Sequence, residues 1–267
     1  MQLHTFLSCN LNGDLMHTPK FFALIIGTEI LNRRREDKHF DFLTKELLKR
    51  GHKLTGSFII EDDPALIVQT IRFIASQPGA VLFSFGGIGS TPDDHTRKCA
   101  SIALRDGTLH THEEAREIIA ERIETMKIPN GRYPLQMAEL PKGAKLLDNP
   151  VNGMPAFYLD DRYFFMPGFP EMSHPMVESI LEKHFNESRP MHRMTLTALC
   201  RETELIEVME QMPKGVELSS LPKLYNDGYR TAISLAGENK DLVEKAFVQF
   251  QRYCDEKEIP YSLHDET

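Results

Sequence analysis

Apolar and polar positions divide the first half of the chain into short apolar runs separated by longer segments of helical spacing. Residues 21–26 form a continuous apolar run that ends at Gly27, and residues 81–85 form a second. Such runs are typical of strands that are buried on both faces of a parallel sheet. A further predicted strand ends over residues 57–60.

Helical patterns fill the intervals between these strands. Phe40, Leu43 and Leu47 lie on one stripe, and Asp63 before Pro64 is typical of a helix start. The predicted helices span 37–50, 64–76, 94–105 and 112–126. This alternation of strand and helix predicts an α/β fold in which helices cover both faces of a mostly parallel sheet.

The rest of the chain predicts a hairpin and a second, smaller domain. Residues 157–159 and 163–166 flank Asp160-Asp161, which predicts one antiparallel pair beside the sheet. After a change of pattern near 187–190, the order strand, helix, strand, strand, helix, strand predicts a small split α+β unit. Its elements are predicted over 192–200, 201–211, 216–221, 229–236, 239–254 and 259–263. The predicted domains are a tail over 1–19, a main domain over 20–189 and a small domain over 190–267.

Composition and charge restrict the classes of function. The chain has 267 residues, of which 41% are hydrophobic, and no apolar run reaches the roughly 18 residues that a membrane-spanning helix needs. The formal net charge is −8, and residues 190–267 carry 9 Lys/Arg against 14 Asp/Glu. An acidic protein makes few phosphate contacts, and the small domain lacks the GxxG loop of nucleic-acid-binding KH modules. We therefore expect no nucleic-acid partner and no membrane.

The N-terminus and the cysteines indicate a cytoplasmic protein. Residues 1–19 contain no Lys or Arg and no sustained apolar core, so they do not resemble a secretory signal. Met16 is an alternative natural start for the chain. The four cysteines form no CxxC pair, which disfavours a disulfide framework or a zinc site and is compatible with a reducing compartment.

The loop after the third strand, residues 86–96, is the richest in candidate chemistry. Its glycines allow backbone N–H groups to approach a ligand closely, and its carboxylates suggest a divalent cation that bridges to phosphate oxygens. The residues concerned are Gly86, Gly87, Gly89, Thr91, Asp93, Asp94 and Thr96. The structural alternative is a glycine-rich turn in which Asp93 caps a helix.

The loops after the first two strands carry charged side chains. Around Glu36 and Asp37 lie Arg33, Arg34, Arg35, Lys38 and His39. Such a cationic cluster can hold phosphate, although a solvated basic surface is the simpler interpretation of the cluster alone. Glu29 either orients a ligand or caps a turn. Asp62 fits a ligand role and a cap equally well, whereas Asp63 before proline favours a cap.

Two proline-rich loops follow, over residues 148–157 and 166–172. In the second, Pro167, Gly168 and Pro170 predict a rigid turn at the edge of the same sheet. The scattered histidines His95, His110, His112, His174 and His184 show no metal-ligand spacing, and we expect most of them to lie on the surface or to cap helices.

The string GGIGSTPDDHT at 86–96 resembles the GGxGxTxDDxT signature of the molybdopterin-binding domain shared by MogA, MoaB and CinA. The order of the other pieces is similar to CinA. These pieces are the GxEIL turn at 27–31, the turn at Asp62, Asn149-Pro150, and the loop from Pro167 to Met172. The C-terminal unit is similar to the small KH-like domain that follows in CinA, so the resemblance covers about residues 21–263.

The resemblance implies a three-layer α/β/α fold and a phosphate-bearing ligand. In the MogA branch the ligand is molybdopterin, and in the CinA branch the domain resembles a metal-dependent pyrophosphatase acting on ADP-ribose. A divalent metal ion is expected on Asp62 and Asp94, which would be the catalytic residues. The expected substrate-binding residues are Gly27, Glu29, Arg34, Asp37, Lys38, Gly86, Gly87, Gly89, Thr91, Asp93, Thr96, Asn149, Pro167, Gly168 and Pro170. A homo-oligomer is also expected, and the deamidase domain of full-length CinA is expected to be absent.

Several positions depart from the family pattern. Arg33, Asn152 and Ala156 stand at glycine positions, His39 stands at an asparagine position, and Ser90 stands where proline is common. The leading hypothesis is a nucleotide pyrophosphatase of the ADP-ribose class. A molybdopterin-binding protein without hydrolase activity and a non-catalytic scaffold that keeps the pocket are the alternatives.

Overall fold

The computed structural model describes residues 18–187 and 190–263. The chain divides into two compact units after Glu187. Apart from residues 18 and 19, the predicted N-terminal tail lies outside the described residues, as does Cys9. The other three cysteines are buried free thiols. No helix in the described ranges has the length and hydrophobicity needed to cross a membrane.

The first unit contains eight strands and seven helices within its described residues. The strands are β1 (Lys20–Ile26), β2 (Leu54–Ile60), β3 (Ala80–Phe85), β4 (Leu109–Thr111), β5 (Glu139–Pro141), β6 (Lys145–Leu147), β7 (Ala156–Leu159) and β8 (Tyr163–Met166). The helices are α1 (Thr28–Leu31), α2 (His39–Lys49), α3 (Pro64–Ala75), α4 (Thr96–Leu104), α5 (Glu113–Thr125), α6 (Arg132–Leu135) and α7 (Pro170–His184), and a 3₁₀ turn spans Gln136–Ala138.

Six of these strands form one mixed sheet in the order β2-β1-β3-β8-β7-β6. The pairs β2–β1, β1–β3 and β3–β8 are parallel, whereas β8–β7 and β7–β6 are antiparallel. The prediction of a mostly parallel sheet with an antiparallel pair beside it is therefore confirmed. All of β3 and β8, and β1 after its first residue, are buried, which explains their continuous apolar sequences.

Several elements of this unit escaped the sequence pattern, among them the pair β4–β5, the strand β6 and the helix α7. The short pair β4–β5 has three residues a strand, too few to show a period. The 15-residue helix α7 begins at Pro170, a position where the sequence predicts a rigid turn. Proline fits the first helical position because its missing N–H has no partner there. A second proline, Pro175, lies inside the helix and hides the helical pattern from the sequence.

The second unit is a four-stranded antiparallel sheet with helices. Its elements are β9 (His192–Ala198), a 3₁₀ turn (Glu202–Leu205), α8 (Ile206–Met209), β10 (Glu217–Tyr225), β11 (Gly228–Gly237), α9 (Lys240–Glu256) and β12 (Tyr261–Ser262). The strand order is β10-β11-β9-β12. The predicted order of elements is confirmed, but the predicted helix 201–211 is wrong in form. Its first turn is tightened into 3₁₀ geometry, closed by Glu204 Oε1 accepting from Arg201 N at 2.9 Å.

Candidate functional site

A cavity of about 470 Å³ lies where the parallel strands of the first unit end. The loops after β1, β2, β3 and β8 meet there because parallel strands present their carboxyl ends at one edge of a sheet. The predicted site residues that line it are Glu29, Asp62, Gly86, Gly87, Gly89, Thr91, Asp93, Asp94, Asn149, Pro167 and Gly168. The predicted site residues Gly27, Arg34, Asp37, Lys38, Thr96 and Pro170 are not among its lining residues.

The glycine loop after β3 forms the floor of the cavity. Gly86 has φ +103°, and a side chain there would collide with the carbonyl oxygen of Ile26. A Cβ on Gly168 would lie 3.3 Å from Gly86 Cα, so the loops after β3 and β8 touch through their backbones. Thr96 is fully buried and donates its hydroxyl to Gly86 O at 2.9 Å. Thr96 therefore positions this loop and does not face the cavity.

Asp94 is held at the end of the same loop. Its Oδ2 accepts from Thr91 N at 2.8 Å and from Thr91 Oγ1 at 2.6 Å. A Cβ on Gly89 would lie 2.6 Å from that oxygen, so the carboxylate needs the glycine beside it. Among the described residues none donates a hydrogen bond to Oδ1. One oxygen of Asp94 is therefore available to a cation or ligand.

Asp93 lines the cavity but does not cap the following helix. Helix α4 begins at Thr96, and no side chain caps its first turn. The alternative that assigned Asp93 to a helix cap is wrong, because the chain makes a turn over residues 91–94 before the helix starts.

Asp62 accepts hydrogen bonds from Thr28 in the loop that follows β1. Its Oδ2 accepts from Thr28 N at 2.8 Å and from Thr28 Oγ1 at 2.9 Å, which ties the start of α1 to the end of β2. Its Oδ1 accepts no hydrogen bond from the residues that the structure describes. Asp63 accepts from Leu66 N at 2.7 Å and caps α3, as its position before proline predicts. The two adjacent aspartates thus have different roles.

The predicted cationic cluster does not gather at the cavity. Of its members only Arg35 lines the cavity, with its guanidinium carbon 5.2 Å from the centre of the Phe169 ring and its Nη1 3.9 Å from Glu29 Oε1. Arg33, at a glycine position of the family pattern, adopts the left-handed conformation with φ +58°. Asp37 caps α2, accepting from the backbone N–H groups of the two residues at its start.

His39, the last residue of the predicted cluster, is buried. Its Nε2 lies 3.4 Å from Gly168 O, its Nδ1 lies 3.4 Å from Ser173 Oγ, and its ring stacks on Phe85 at 4.3 Å. Burial lowers the pKa of His39 to about 4, so the side chain is neutral near pH 7. His39, which stands at the family's asparagine position, therefore contacts the cavity-lining residue Gly168 but does not line the cavity itself.

The other histidines only partly follow the expectation. His112 caps α5 by accepting from Ala115 N at 3.3 Å, and His110 is exposed. His174 and His184 are partly buried against aromatic rings, His174 lying parallel to Phe42 at 3.7 Å. These two contribute to packing.

Another part of the cavity lining, here called the methionine wall, is more apolar. Met137, Met154 and Met172 line it, and sequence reasoning did not find them because they come from three separate segments. Asn149 is 5% exposed, and its Oδ1 accepts from Val151 N at 3.1 Å, which fixes the orientation of the amide. Its Nδ2 is buried and has no hydrogen-bond partner. A buried donor without a partner is costly, so Asn149 offers this N–H to whatever occupies the cavity.

A second asparagine shapes the same wall. Asn152 lines the cavity, and its Oδ1 accepts from Met154 N at 2.9 Å. The asparagine that stands at a family glycine position therefore closes a local turn. Ala156, the other departure nearby, is buried at the start of β7.

The charge of the cavity wall is predominantly negative. Four carboxylates, those of Glu29, Asp62, Asp93 and Asp94, face one guanidinium, that of Arg35. Within the described ranges no three His, Cys, Asp or Glu side chains converge to hold a metal ion by themselves. One or two carboxylates completed by phosphate oxygens and water are, however, a usual environment for Mg²⁺. The residues present therefore fit a cation that binds together with a phosphate group.

Comparisons with known proteins identify the family of the first unit. Residues 22–187 match the family described as "Probable molybdopterin binding domain". A protein of Archaeoglobus fulgidus is 26% identical over 241 residues, which are 89% of this chain and 99% of that protein. A CinA-like protein of Desulfotalea psychrophila is 32% identical over 164 residues, 60% of this chain but only 39% of the longer relative. The crystal structure of the protein CinA from Thermoplasma acidophilum has a TM-score of 0.53 at 24% identity and covers 62% of this chain and 97% of that one, which shows a shared fold.

Proposed function

The chain belongs to the family of probable molybdopterin binding domains, as a CinA-like protein of the MoaB/MogA superfamily. From this premise we propose that the protein is a metal-dependent pyrophosphatase. Its substrate would be a nucleotide of the ADP-ribose class, bound in the cavity of the first unit. Water would add across the P–O–P bridge and give two phosphomonoesters.

One observation carries this proposal: residues that line the same cavity have backbone N–H groups and carboxylate oxygens without a hydrogen-bond partner among the described residues. Four successive backbone N–H groups donate no hydrogen bond to any described residue, those of Gly87, Ile88, Gly89 and Ser90. Successive free N–H groups in a glycine-rich turn are typical of anion binding. The free Oδ1 atoms of Asp62 and Asp94 suit a hard divalent cation.

The cavity residues would have separate roles in binding the substrate and the cation. The glycine loop would bind phosphate oxygens, and Arg35 would balance the charge of the second phosphate. Asp62 and Asp94 would hold the cation, which supplies Lewis-acid polarisation of a phosphoryl oxygen when bound. Because the wall carries more negative than positive charge, phosphate binding should be weak until a divalent cation is added.

The test is hydrolysis of ADP-ribose with and without added divalent metal ions. We expect turnover that depends on the metal and that is lost when a chelator removes it. Folded protein that shows no turnover with Mg²⁺, Mn²⁺, Co²⁺ or Zn²⁺ would contradict the proposal. Folding is checked by circular dichroism on the same sample.

The methionine wall and Asn149 favour a second candidate, a molybdopterin-binding protein without hydrolase activity. The unpartnered Nδ2 of Asn149 and the three methionines Met137, Met154 and Met172 suit a flat heterocycle that carries a hydrogen-bond acceptor. A thermal-shift panel separates the two candidates, since a ligand that binds the native state raises its melting temperature. Stabilisation by molybdopterin, with neither stabilisation nor turnover of ADP-ribose, would favour this candidate.

The expected homo-oligomer and the cytoplasmic location stay predictions. Light scattering of the purified protein measures the first, and fractionation of cells measures the second.

A further inference from the structure

Arg97 is a buried arginine behind the glycine loop. It lies in α4, is 8% exposed, and donates from Nη2 to Gly89 O at 2.9 Å. Its Nη1 donates to the carbonyl oxygens of Gln136 and Glu139. In the described part of the chain no carboxylate lies within ion-pair distance of this guanidinium. Burying a charge is expensive, and the structure compensates it with the three carbonyl contacts and with the electrostatic attraction of Asp94 and Glu139.

The bond from Arg97 fixes the direction of one peptide group in the loop. The described chain contains no cis peptide, and in a trans peptide the C=O and the following N–H point in opposite directions. Since Gly89 O points to the buried Arg97, the N–H of Ser90 points away from Arg97. Gly89 and Ser90 both line the cavity, and Ser90 N donates to no described residue.

Without Arg97 this orientation would have little support. Glycine tolerates a wide range of φ and ψ, so the peptide between Gly89 and Ser90 could rotate. Its carbonyl oxygen would then face the cavity near the Asp94 carboxylate. An oxygen in that place repels a phosphate group where an N–H would bind it.

We infer that Arg97 is a positioning residue that, through Gly89, keeps the carbonyl oxygen of the Gly89–Ser90 peptide group turned away from the phosphate group in the cavity. The inference rests on the proposed function for the identity of that anion. Arg97 does not itself touch the anion, and it ties the loop to the segment at Gln136 and Glu139, next to the cavity residue Met137.

The experiment measures binding of ADP-ribose with Mg²⁺ by calorimetry to the full chain and its variants. Arg97→Ala should bind about 10- to 100-fold more weakly, the loss expected for one hydrogen bond to a charged group. Low-millimolar guanidinium chloride, far below denaturing concentration, should restore part of that loss.

Arg105 supplies the matched control. It too donates to backbone carbonyls, those of Lys142 and Leu104, but it does not line the cavity or contact the glycine loop. Arg105→Ala should lower the melting temperature and leave the affinity for ADP-ribose unchanged. A merely structural role for Arg97 predicts the same pattern for Arg97→Ala.

A crystal structure of Arg97→Ala separates this inference from the proposed function. We expect the Gly89 carbonyl to turn into the cavity. If it turns while the unaltered chain binds no ADP-ribose, the proposed function fails and the positioning role stands. An unchanged carbonyl together with unchanged affinity overturns the inference. If Arg97→Ala does not fold, Arg97→Met decides, because methionine keeps much of the side-chain volume but donates no hydrogen bond. An unchanged carbonyl together with unchanged affinity in that variant overturns the inference.

Discussion

The two units use their strand ends in different ways. In the first unit β2, β1, β3 and β8 run parallel, so loops that are far apart in sequence meet at one edge and enclose a cavity. In the second unit β10 and β11 are antiparallel neighbours joined at Asn226-Asp227, so the loop connects residues that are already adjacent. The difference shows that the parallel topology, more than any single loop sequence, brings the candidate site together.

The carboxylates of the two units show the same contrast. Asp227 uses both oxygens on Arg230, at 2.9 and 2.8 Å, and this hydrogen bonding lowers the pKa of Asp227. Asp62 and Asp94 use only Oδ2 on described residues. Asp227, whose two oxygens both accept hydrogen bonds within its own hairpin, has a local structural role. Asp62 and Asp94 each keep one oxygen that can still bind a ligand.

Asp94→Asn should produce the largest effect. The nearly isosteric amide can still accept from Thr91, so the fold should survive, but a hard cation loses an anionic ligand. We expect turnover of ADP-ribose to fall by about 100-fold or more. Asp93→Asn removes the same charge from the same wall and should be milder.

Asp227→Asn is the control in the second unit and should leave turnover unchanged. An Asp94→Asn protein as active as the parent would mean that the site lies elsewhere. If both Asp93→Asn and Asp94→Asn change stability by no more than about 1 kcal/mol and leave turnover intact, these residues are only turn-forming.

Glycine substitutions test how tightly each unit is built. Gly86→Ala places a Cβ against the carbonyl oxygen of Ile26 at φ +103°, so the loop or the strand must shift. We expect a loss of about 2 to 3 kcal/mol in the free energy of unfolding, measured by urea denaturation. Gly228→Ala, at φ +137° with nothing within 4 Å of the new Cβ, meets only backbone strain and should cost less. Equal losses would show that the floor of the cavity is not specially crowded.

The buried histidine gives the first unit a pH dependence of stability. The pKa of His39 is about 4 in the folded chain, against an ordinary value of 6.5. Between these values the unfolded chain binds more protons, so the unfolding free energy falls as the pH falls, by at most about 1.4 kcal/mol per pH unit. His39→Asn should flatten this dependence between pH 6.5 and 5 in urea melts. Parallel curves for the two proteins would show that His39 titrates normally.

The smallest effect is expected for nucleic acid. Residues 190–267 have a net charge of −5 and no GxxG loop, so the full chain should not bind single-stranded RNA in fluorescence anisotropy, even at low salt. RNA binding that weakens with added salt would overturn this expectation and would give the second unit a ligand of its own.

The parts of the fold that could be predicted are those with a strong local signal. The apolar runs of β1 and β3 and the glycine loop were identifiable because burial on both faces and positive φ each demand particular residues. The helix over 170–184 was missed because Pro175 interrupts its pattern, although Met176, Val177, Ile180 and Leu181 repeat with helical spacing (all four are buried).

The parts of the site that could not be predicted depend on where side chains point. Arg34 and Lys38 are close in sequence to the cavity-lining residue Arg35, but their side chains are exposed and do not line the cavity. The chain turns through Arg33, which has the left-handed conformation, just before them. His39, in the same segment, is buried and neutral. The methionine wall has no shared sequence pattern, so only the tertiary structure brings it together.

The backbone contact between Gly86 and Gly168 has a consequence for how this protein can diverge. A side chain at Gly168 would press on Gly86, and a side chain at Gly86 would collide with the carbonyl oxygen of Ile26, so neither position is free to change. Met137, Met154 and Met172 carry no such constraint, because flexible thioether side chains exchange readily with others of similar volume. New ligand preferences in descendants of this chain would therefore arise by substitution on the methionine wall, while the floor is inherited unchanged.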